Sequence, residues 1–339
     1  MNIRRSRPTL HDVAKAAGVG TTTVSRVING GHYVAPEMLK RIQRVMKDLG
    51  YQPNVAARSL KSDRSRTIGL IVPSIIDPFF ARFAAVAEVH ARRKDYVLLL
   101  LTSQDKAQAE LEDLQILERH RVDGLLLVPP RSTSKALLQS LRFLSVPIVA
   151  FDRPIASREF SSVVTDNNIA AQHAVHHLIQ HGRKRILCLG GDPNLHTIRE
   201  RVKGSTAALK AAGLDVLVEM DAADYPSAEA AIMKHISAKG KIDAIFGLYN
   251  QSTILAYEVM QNHGIHVPER VSLIGFDDFA LAATLRPSIT VVRQAIEELA
   301  QTATQLLLNH MAGENNSPQH IEIASSLVIR QSCGCAPTR

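Results

Sequence analysis

Thr21, Thr22 and Arg26 have side-chain types and spacing suited to reading another molecule's hydrogen-bonding edge. The two hydroxyls open a short helical pattern, and Arg26 falls one turn beyond Thr22 on the same face. Threonine can donate, accept or touch a thymine methyl; arginine can pair bidentately with guanine or hold a phosphate. Ser25 and Asn29, on the same stretch, suit positioning against a backbone. Such residues need a scaffold. Leu10, Val13, Ala14 and Ala17 follow helical spacing, Gly18-Val-Gly20 interrupts it, and Val24, Val27 and Ile28 resume it. Two short amphipathic helices about a tight turn make a helix-turn-helix, which lays its second helix in the DNA major groove. The pair cannot bury its apolar face alone. Residues 36–49 supply a third helix, with Met38, Leu39, Ile42, Val45, Met46 and Leu49 on one stripe. Thr9 and Asp12 form a near capping box at the first helix.

Charge agrees with this pattern. Residues 1–66 hold thirteen Lys and Arg against four Asp and Glu, a net of +9, while the chain is +8, so the other 273 residues sum to −1. A basic module on a near-neutral body is the footprint of a phosphate-binding head. At 339 residues the chain has room for two or three domains, and with 4% aromatics and no Trp its core must be aliphatic. No run approaches the eighteen apolar residues of a membrane span, and His11, Asp12 and Lys15 lie where the apolar core of an export signal would fall. A cytoplasmic protein without membrane attachment is expected.

After Pro53 the segment Asn54-Val-Ala-Ala-Arg-Ser-Leu60-Lys61 is helix-prone, with Asn54 as N-cap, but too short to stand alone. It suits a hinge that orders only in a complex. From Thr67 the pattern becomes α/β. Short apolar runs at 68–72, 97–101, 124–128, 148–151 and 163–164 alternate with amphipathic stretches around 79–94, 106–120 and 134–144. The rhythm repeats with runs at 186–189, 216–218, 244–248 and 271–274 and helices around 168–181, 199–212, 227–238 and 252–263. Continuous apolar strands between helices mean parallel sheets covered on both faces. Two such sheets in series leave a cleft at the strands' carboxyl ends, where a ligand binds.

At this point the residues resemble the lactose/galactose/purine repressor (LacI/GalR) family of bacterial transcription regulators. The resemblance rests on the helix-turn-helix, the hinge segment, Ile68-Gly-Leu-Ile-Val-Pro, Asp77-Pro-Phe-Phe80, Val122-Asp-Gly124, Phe151-Asp-Arg153, Arg199-Glu-Arg201-Val-Lys-Gly204, Val267-Pro268 and Ile274-Gly-Phe-Asp-Asp278. In this order they run from about Thr9 to Cys333. It implies an all-α head (1–53), a hinge helix and linker (54–66) and a two-lobed core shaped like a periplasmic binding protein. Residues 67–165 and 293–322 form one lobe, 166–292 and 323–339 the other. The family works as a homodimeric regulator on a palindromic double-stranded operator, controlled by a small effector, a sugar or sugar acid.

By that resemblance Ala57, Leu60 and Lys61 join the DNA contacts, with Leu60 either a wedge between central base pairs or a buried linker residue. The effector site falls on Phe79, Phe80, Asp152 and Asp166 from the first lobe and Arg201, Tyr225, Asn250 and Asp277 from the second. Carboxylates and an asparagine suit hydroxyl-rich ligands, and aromatic rings pack on a sugar's apolar face. Of Arg199 and Arg201, two apart on one helix start, only one can point inward, and Arg201 fits the Arg-x-x-Gly position. Asp277 and Asp278 also suit the capping of a turn after a strand. Three departures stand out: Gly20 and Ala35 replace the usual Ser caps, and Gln251 follows Asn250 where Asp is common. The last keeps ligand identity from being carried over.

Other chemistry finds little support. His173/His177 and His177/His181 are i, i+4 pairs, but the carboxylate of an H-E-x-x-H pattern is missing and Val175, Leu178 and Ile179 mark the buried face. A solvated helix face, without metal, is expected. Cys188 reads as a buried thiol, and Cys333-Gly-Cys335 alone supplies neither a redox pair nor a metal set. No phosphate loop or catalytic triad is present, so neither cofactor nor enzyme activity is expected. A two-lobed α/β enzyme and a periplasmic solute receptor are the rival classes; the basic head and the missing export signal oppose the second.

Overall fold

The computed structural model describes residues 8–29, 34–52, 64–131, 134–220, 222–237, 241–314 and 317–335. The chain divides into two compact units, Met1–Arg66 and Thr67–Arg339. In the first, α1 (Leu10–Ala17), α2 (Thr21–Asn29) and α3 (Pro36–Leu49) enclose Val13, Ala14, Ala17, Val24 and Ile42, with Leu10, Val27, Ile28, Met38, Val45 and Met46 packed around them. The apolar stripes meet as their spacing requires. Thr9 starts α1 with a full capping box: its Oγ1 accepts from the Asp12 N–H at 3.3 Å, and the Asp12 carboxylate accepts from the Thr9 N–H at 2.8 Å. At Ala35 no side chain caps α3, and Pro36 in the first turn takes over the start signal.

The second unit holds two six-stranded sheets. The first contains β1 (Thr67–Val72), β2 (Val97–Thr102), β3 (Gly124–Leu127), β4 (Ile148–Phe151), β5 (Ser161–Thr165) and β11 (His320–Ile323), in the order β11-β5-β4-β3-β1-β2 and parallel throughout. The second contains β6 (Ile186–Leu189), β7 (Leu217–Glu219), β8 (Ala244–Gly247), β9 (Ser272–Phe276), β10 (Thr290–Arg293) and β12 (Ser326–Val328), in the order β12-β10-β9-β8-β6-β7. Only β12 pairs antiparallel.

Helices cover both faces of each sheet, which is why the central strands read as unbroken apolar runs. In the first lobe α4 (Pro78–Arg92) and α11 (Ile296–Ala312) pack on one face, where Phe83 stacks on Phe151 at 3.6 Å. On the other face, α5 (Ala107–Arg119) and α6 (Lys135–Phe143) bury Leu114, Leu117, Leu137 and Leu141. In the second lobe α7 (Asn167–Gln180) and α8 (His196–Ala211) take one face and α9 (Tyr225–Ser237) and α10 (Asn250–Asn262) the other. No described helix is long and apolar enough to cross a membrane.

The chain passes between the sheets after β5, after β10 and after β11. These crossings are tied together. The Thr165 hydroxyl donates to Gln294 Oε1, the Asp166 N–H donates to the Ile323 carbonyl at 3.1 Å, and Asp166 Oδ1 accepts from the Ser325 N–H at 3.0 Å. One close approach fixes the second lobe. A Cβ on Gly204 of α8 would lie 2.1 Å from the Asn168 carbonyl oxygen of α7, and backbone cannot step aside as a flexible side chain would. Gly204→Ala should therefore destabilise the core by about 3 kcal/mol or more, near the top of the usual overpacking cost. An unchanged denaturant midpoint would rule out this contact as a constraint.

Candidate functional site

In the head, α2 turns Val24 into the core and leaves Thr21, Thr22 and Arg26 exposed, with Ser25 half-buried. Helical spacing thus puts two hydroxyls and a guanidinium on the outer face of the second helix, the arrangement a major-groove reader needs. Asn29 is the last residue of α2. Ala57, Leu60 and Lys61 lie outside the described residues.

In the core, charged residues gather at the strands' carboxyl ends. Asp77 follows β1 and caps α4, accepting from the Phe79 N–H at 2.9 Å. Asp152 and Arg153 follow β4, and Asp277 follows β9. Asp152 and Asp277 have positive φ, 63° and 73°, a left-handed conformation that Asp tolerates better than most residues. Strand ends bent this way aim side chains out of the pleat and into the cleft.

Two buried guanidiniums organise the cluster. Arg153 Nη1 donates to Asp105 Oδ1 at 2.6 Å and to the Pro129 carbonyl at 3.0 Å, and its Nε lies 3.3 Å from Asp152 Oδ2. Arg201, only 3% exposed, donates from Nε to Asn167 Oδ1 and from Nη1 to the Leu248 carbonyl, both at 2.8 Å. Nη1 also lies 3.5 Å from Asp277 Oδ2, and the guanidinium sits 3.5 Å above the Phe276 ring. Asp277 Oδ1 accepts from Gln294 Nε2 at 2.5 Å, which joins this node to the crossing at Thr165.

Burial pushes the Asp152 carboxyl up to about 6, against the pull of Arg153 and Arg201 and with further upward pressure from Asp277 and Asp77. Asp77 is raised too, first by burial and then, against its bond from the Phe79 N–H, by the Asp277 charge. Carboxylates of the two lobes therefore feel one another across the cleft. At its rim Arg131, after β3, pairs with Asp192, after β6, at 2.8 Å. With Asp77, Asp105, Asp152 and Asp277 against Arg153 and Arg201, the ionised cluster carries a net charge of −2. Such a site accepts hydroxyl hydrogens well and repels anions.

The sequence-expected residues divide. Asp152, Arg201 and Asp277 come together, while Asn250 stands at the first turn of α10 on the same side of its sheet. Arg199 is exposed and donates to the Asn194 carbonyl at 2.5 Å. Phe79 and Phe80 meet edge to face at 5.1 Å but are 8% and 7% exposed, within the first lobe's core, so they offer a ligand little ring surface. Tyr225 is not brought to the cluster: its hydroxyl lies between Glu229 and Asn262, the last residue of α10. Asp166 sits at the crossings and lines a cavity of about 900 Å³ between the β5/β11 edge and the first turns of α7 and α8.

Sequence reasoning missed Asp105, Arg153, Gln294 and Tyr249. Tyr249 is half-buried at the end of β8, packed on Gly191, its hydroxyl donating to the Ala222 carbonyl at 3.4 Å. Its position immediately before Asn250 was the available signal. Asp77 and Arg153 stand inside the motifs quoted above, but nothing local shows that Arg153 pairs with Asp105 across strands.

Comparison with known proteins gives a consistent picture. Residues 9–54 match the family model for bacterial regulatory proteins of the lacI family, and 65–331 match that for periplasmic binding proteins and the sugar binding domain of the LacI family. The chain is 31% identical over 328 residues to the HTH-type transcriptional repressor PurR of Aliivibrio salmonicida (strain LFI1238), covering 96% of this chain and 98% of the relative. It is 32% identical over 339 residues to the HTH-type transcriptional regulator CelR of Thermobifida fusca, covering 97% and 99%. The solved transcriptional regulator CelR–cellobiose complex superposes with a TM-score of 0.73 at 31% identity, covering 96% of this chain and all of that one. The lac repressor dimer bound to operator and the anti-inducer ONPF gives 0.87 at 22% identity, covering 97% and 99%, a likeness of fold.

One acid beside the cluster makes a pH prediction. Glu110 of α5 is fully buried, neither of its oxygens has a hydrogen-bond partner among the described residues, and burial pushes it up to about 8. The folded state therefore keeps a proton that the unfolded chain releases above its ordinary carboxyl range. Stability should fall as pH rises from about 4.5 to about 8, by a total on the order of 5 kcal/mol. Glu110→Gln should flatten that slope in pH-dependent denaturation, and an equally steep slope in the variant would exclude Glu110 as its source.

Proposed function

Because the chain belongs to the LacI family of bacterial regulatory proteins, as a helix-turn-helix transcriptional regulator with a ligand-binding core, we propose that it acts as a cytoplasmic homodimeric repressor. It binds a palindromic operator through the exposed face of α2 and through hinge residues 54–61. A neutral sugar held between the lobes sets its operator affinity. The observation that supports this reading is the Arg201–Asp277–Gln294 node, a charge cluster of polyol-binding chemistry tied through Gln294 and Thr165 to segments that join the two lobes. The family's effectors include sugars and sugar acids, and CelR was solved with cellobiose. The net negative cleft favours the neutral class here. We assign the protein no catalytic role, in keeping with relatives that are transcriptional regulators.

In this reading a sugar bridges Asp152 of the first lobe and Asp277 and Arg201 of the second. Lobe closure changes how the two first lobes of a dimer face each other and hence the spacing of the two hinge segments. Operator affinity then follows the sugar's differential affinity for the two arrangements. Thr21, Thr22 and Arg26 read base edges, with Ser25 and Asn29 positioning the backbone.

Electrophoretic shift with palindromes selected from a random library, with and without candidate sugars, tests this directly. A retarded complex whose affinity moves with one sugar supports it; DNA binding that no ligand alters would refute the linkage. Leu60→Ala should weaken specific binding at least about tenfold while leaving nonspecific binding nearly intact, as expected of a minor-groove wedge. Equal losses on both kinds of DNA would count against a wedge.

The raised Asp152 carboxyl adds a second test. Below about pH 6 it is protonated and loses acceptor capacity, so sugar affinity should drop as pH falls from 7.5 to 5. Calorimetric titration of Asp152→Asn should show weaker binding at pH 7.5 and little further change on acidification. A variant that keeps the wild-type pH profile would remove Asp152 from the site.

A further inference from the structure

Two sequence features set aside separately meet in the fold. His177 lies in the last turn of α7 and His181 is its C-cap residue. Their i, i+4 spacing puts both imidazoles on one edge, ring centroids 4.6 Å apart. The C-terminal segment arrives beside them after β12. A turn from Gln331 to Gly334, closed by the Gly334 N–H on the Gln331 carbonyl at 3.0 Å, presents the cysteines on either side of Gly334. Gly334 has φ of 100°, a conformation that a side chain would strain.

This turn is firmly anchored. The Ser332 hydroxyl donates to the Leu273 carbonyl at 2.6 Å and accepts from the Thr290 N–H at 2.8 Å. The Ser272 hydroxyl donates to the Cys333 carbonyl at 3.1 Å. Cys335 Sγ then lies 3.2 Å from His181 Nε2 and 3.6 Å from His177 Nε2, and the donor atoms of His177, Cys333 and Cys335 all fall within 4.8 Å of one another. The expectation of a solvated histidine face holds for His173 and His176, which are exposed, and fails for His177, which is half-buried against Cys335.

We propose that His177, His181, Cys333 and Cys335 form a Cys2His2 site for a thiophilic divalent cation, Zn²⁺ first, that fastens the C-terminal segment to the end of α7. Two thiolates and two imidazoles in tetrahedral array are zinc's preferred structural set, with no ligand position left over. Metal–sulfur bonds of about 2.3 Å and metal–nitrogen bonds of about 2.0 Å place neighbouring ligand atoms about 3.3–3.8 Å apart. Cys335 Sγ, at 3.6 Å from His177 Nε2 and 3.2 Å from His181 Nε2, already stands close to that spacing. Two thiolates neutralise the ion, so the nearby Arg183 guanidinium, bonded to the Pro268 carbonyl at 2.8 Å, does not oppose it. Exposed His181 leaves a path from solvent. The clip would secure β12, a three-residue edge strand, against the helix whose first residue, Asn167, holds Arg201.

The test uses the full-length, reduced, metal-stripped protein titrated with Co²⁺ and then Zn²⁺. The expected result is one equivalent per chain, with tetrahedral d–d bands and a thiolate-to-cobalt charge-transfer band that Zn²⁺ bleaches, together with a higher melting temperature. Cys335→Ser and His177→Gln should each weaken zinc binding by more than about 100-fold, since losing only an outer-shell partner typically costs 10–100-fold. Cys188→Ser, buried in β6, should bind as wild type. His177→Gln keeps the test decisive if Cys335→Ser fails to fold. A cobalt spectrum without charge transfer, or one equally strong in His177→Gln, would overturn the site. So would unreduced protein that carries a Cys333–Cys335 disulfide and no metal.

Discussion

Burying one guanidinium constrains the whole second lobe. Arg201 has five N–H donors and almost no contact with water, so each unmet donor would cost as much as a lost charged hydrogen bond. The first residue of α7 and the carbonyl after β8 accept from two of its nitrogens, and a carboxylate after β9 and the face of Phe276 lie against its charge. Those partners converge only if α7 and α8 approach to backbone contact, and Gly204, one turn beyond Arg201 on the same face, permits that approach. Helix spacing, strand register and the first turn of α7 therefore answer to the same side chain. The node then reaches past its own lobe. Asp277 holds Gln294, Gln294 holds Thr165, and both lie where the chain changes sheets.

Much of this fold was legible along the chain. Apolar runs covered on both faces look the same in sequence as in space, so β1 to β9 and the helices between them fall within a few residues of where periodicity puts them, whereas β10 and α11 have no counterpart in that reading. The head was clearer still, because the stripes of Leu10–Ala17 and Pro36–Leu49 have one partner available and that is each other. The later edge strands were not. β11 and β12 are four and three residues long, partly exposed, and defined by pairing with strands far away in sequence. Nothing local distinguishes them from loop.

Site residues divide along the same line. Arg201 and Asp277 stand out as candidates in sequence because each sits in a compact motif at a strand or helix end. Asp105, Arg153 and Gln294 do not, since their partners come from other crossovers and register alone aligns them. The aromatic residues sit differently from what their types suggest. Phe79 and Phe80 suit a sugar ring by type, but an amphipathic helix that begins at a strand's carboxyl end needs its first large apolar side chains for the sheet beneath it, and the lobe's core takes them. Tyr225 likewise follows its helix toward α10, and Tyr249 holds the strand-end position. The histidine and cysteine pairs show the opposite limit: each was inert when judged alone, and only tertiary structure makes them neighbours.

The charge balance across the cleft makes the core suited to switching. Arg153 is engaged within the first lobe by Asp105 and the Pro129 carbonyl, and Arg201 within the second by Asn167 and the Leu248 carbonyl. Part of their donor capacity is thus taken up within each lobe, while Arg153 Nε is buried with no hydrogen-bond partner among the described residues. What the lobes chiefly present to each other is therefore carboxylate, and Asp277 raises both Asp77 and Asp152 because like charges meet there. In the proposed switch, closure without a ligand would bring those charges together, opposed at the rim by the partly exposed Arg131–Asp192 ion pair, of a kind worth at most about 1 kcal/mol. A polyhydroxylated ligand supplies the donors that both sides lack and turns that repulsion into bridging hydrogen bonds. An anion adds to the repulsion. Under the proposed function, the carboxylates that select the ligand class would also generate the difference in affinity between open and closed lobes, without which a ligand shifts no equilibrium however tightly it binds.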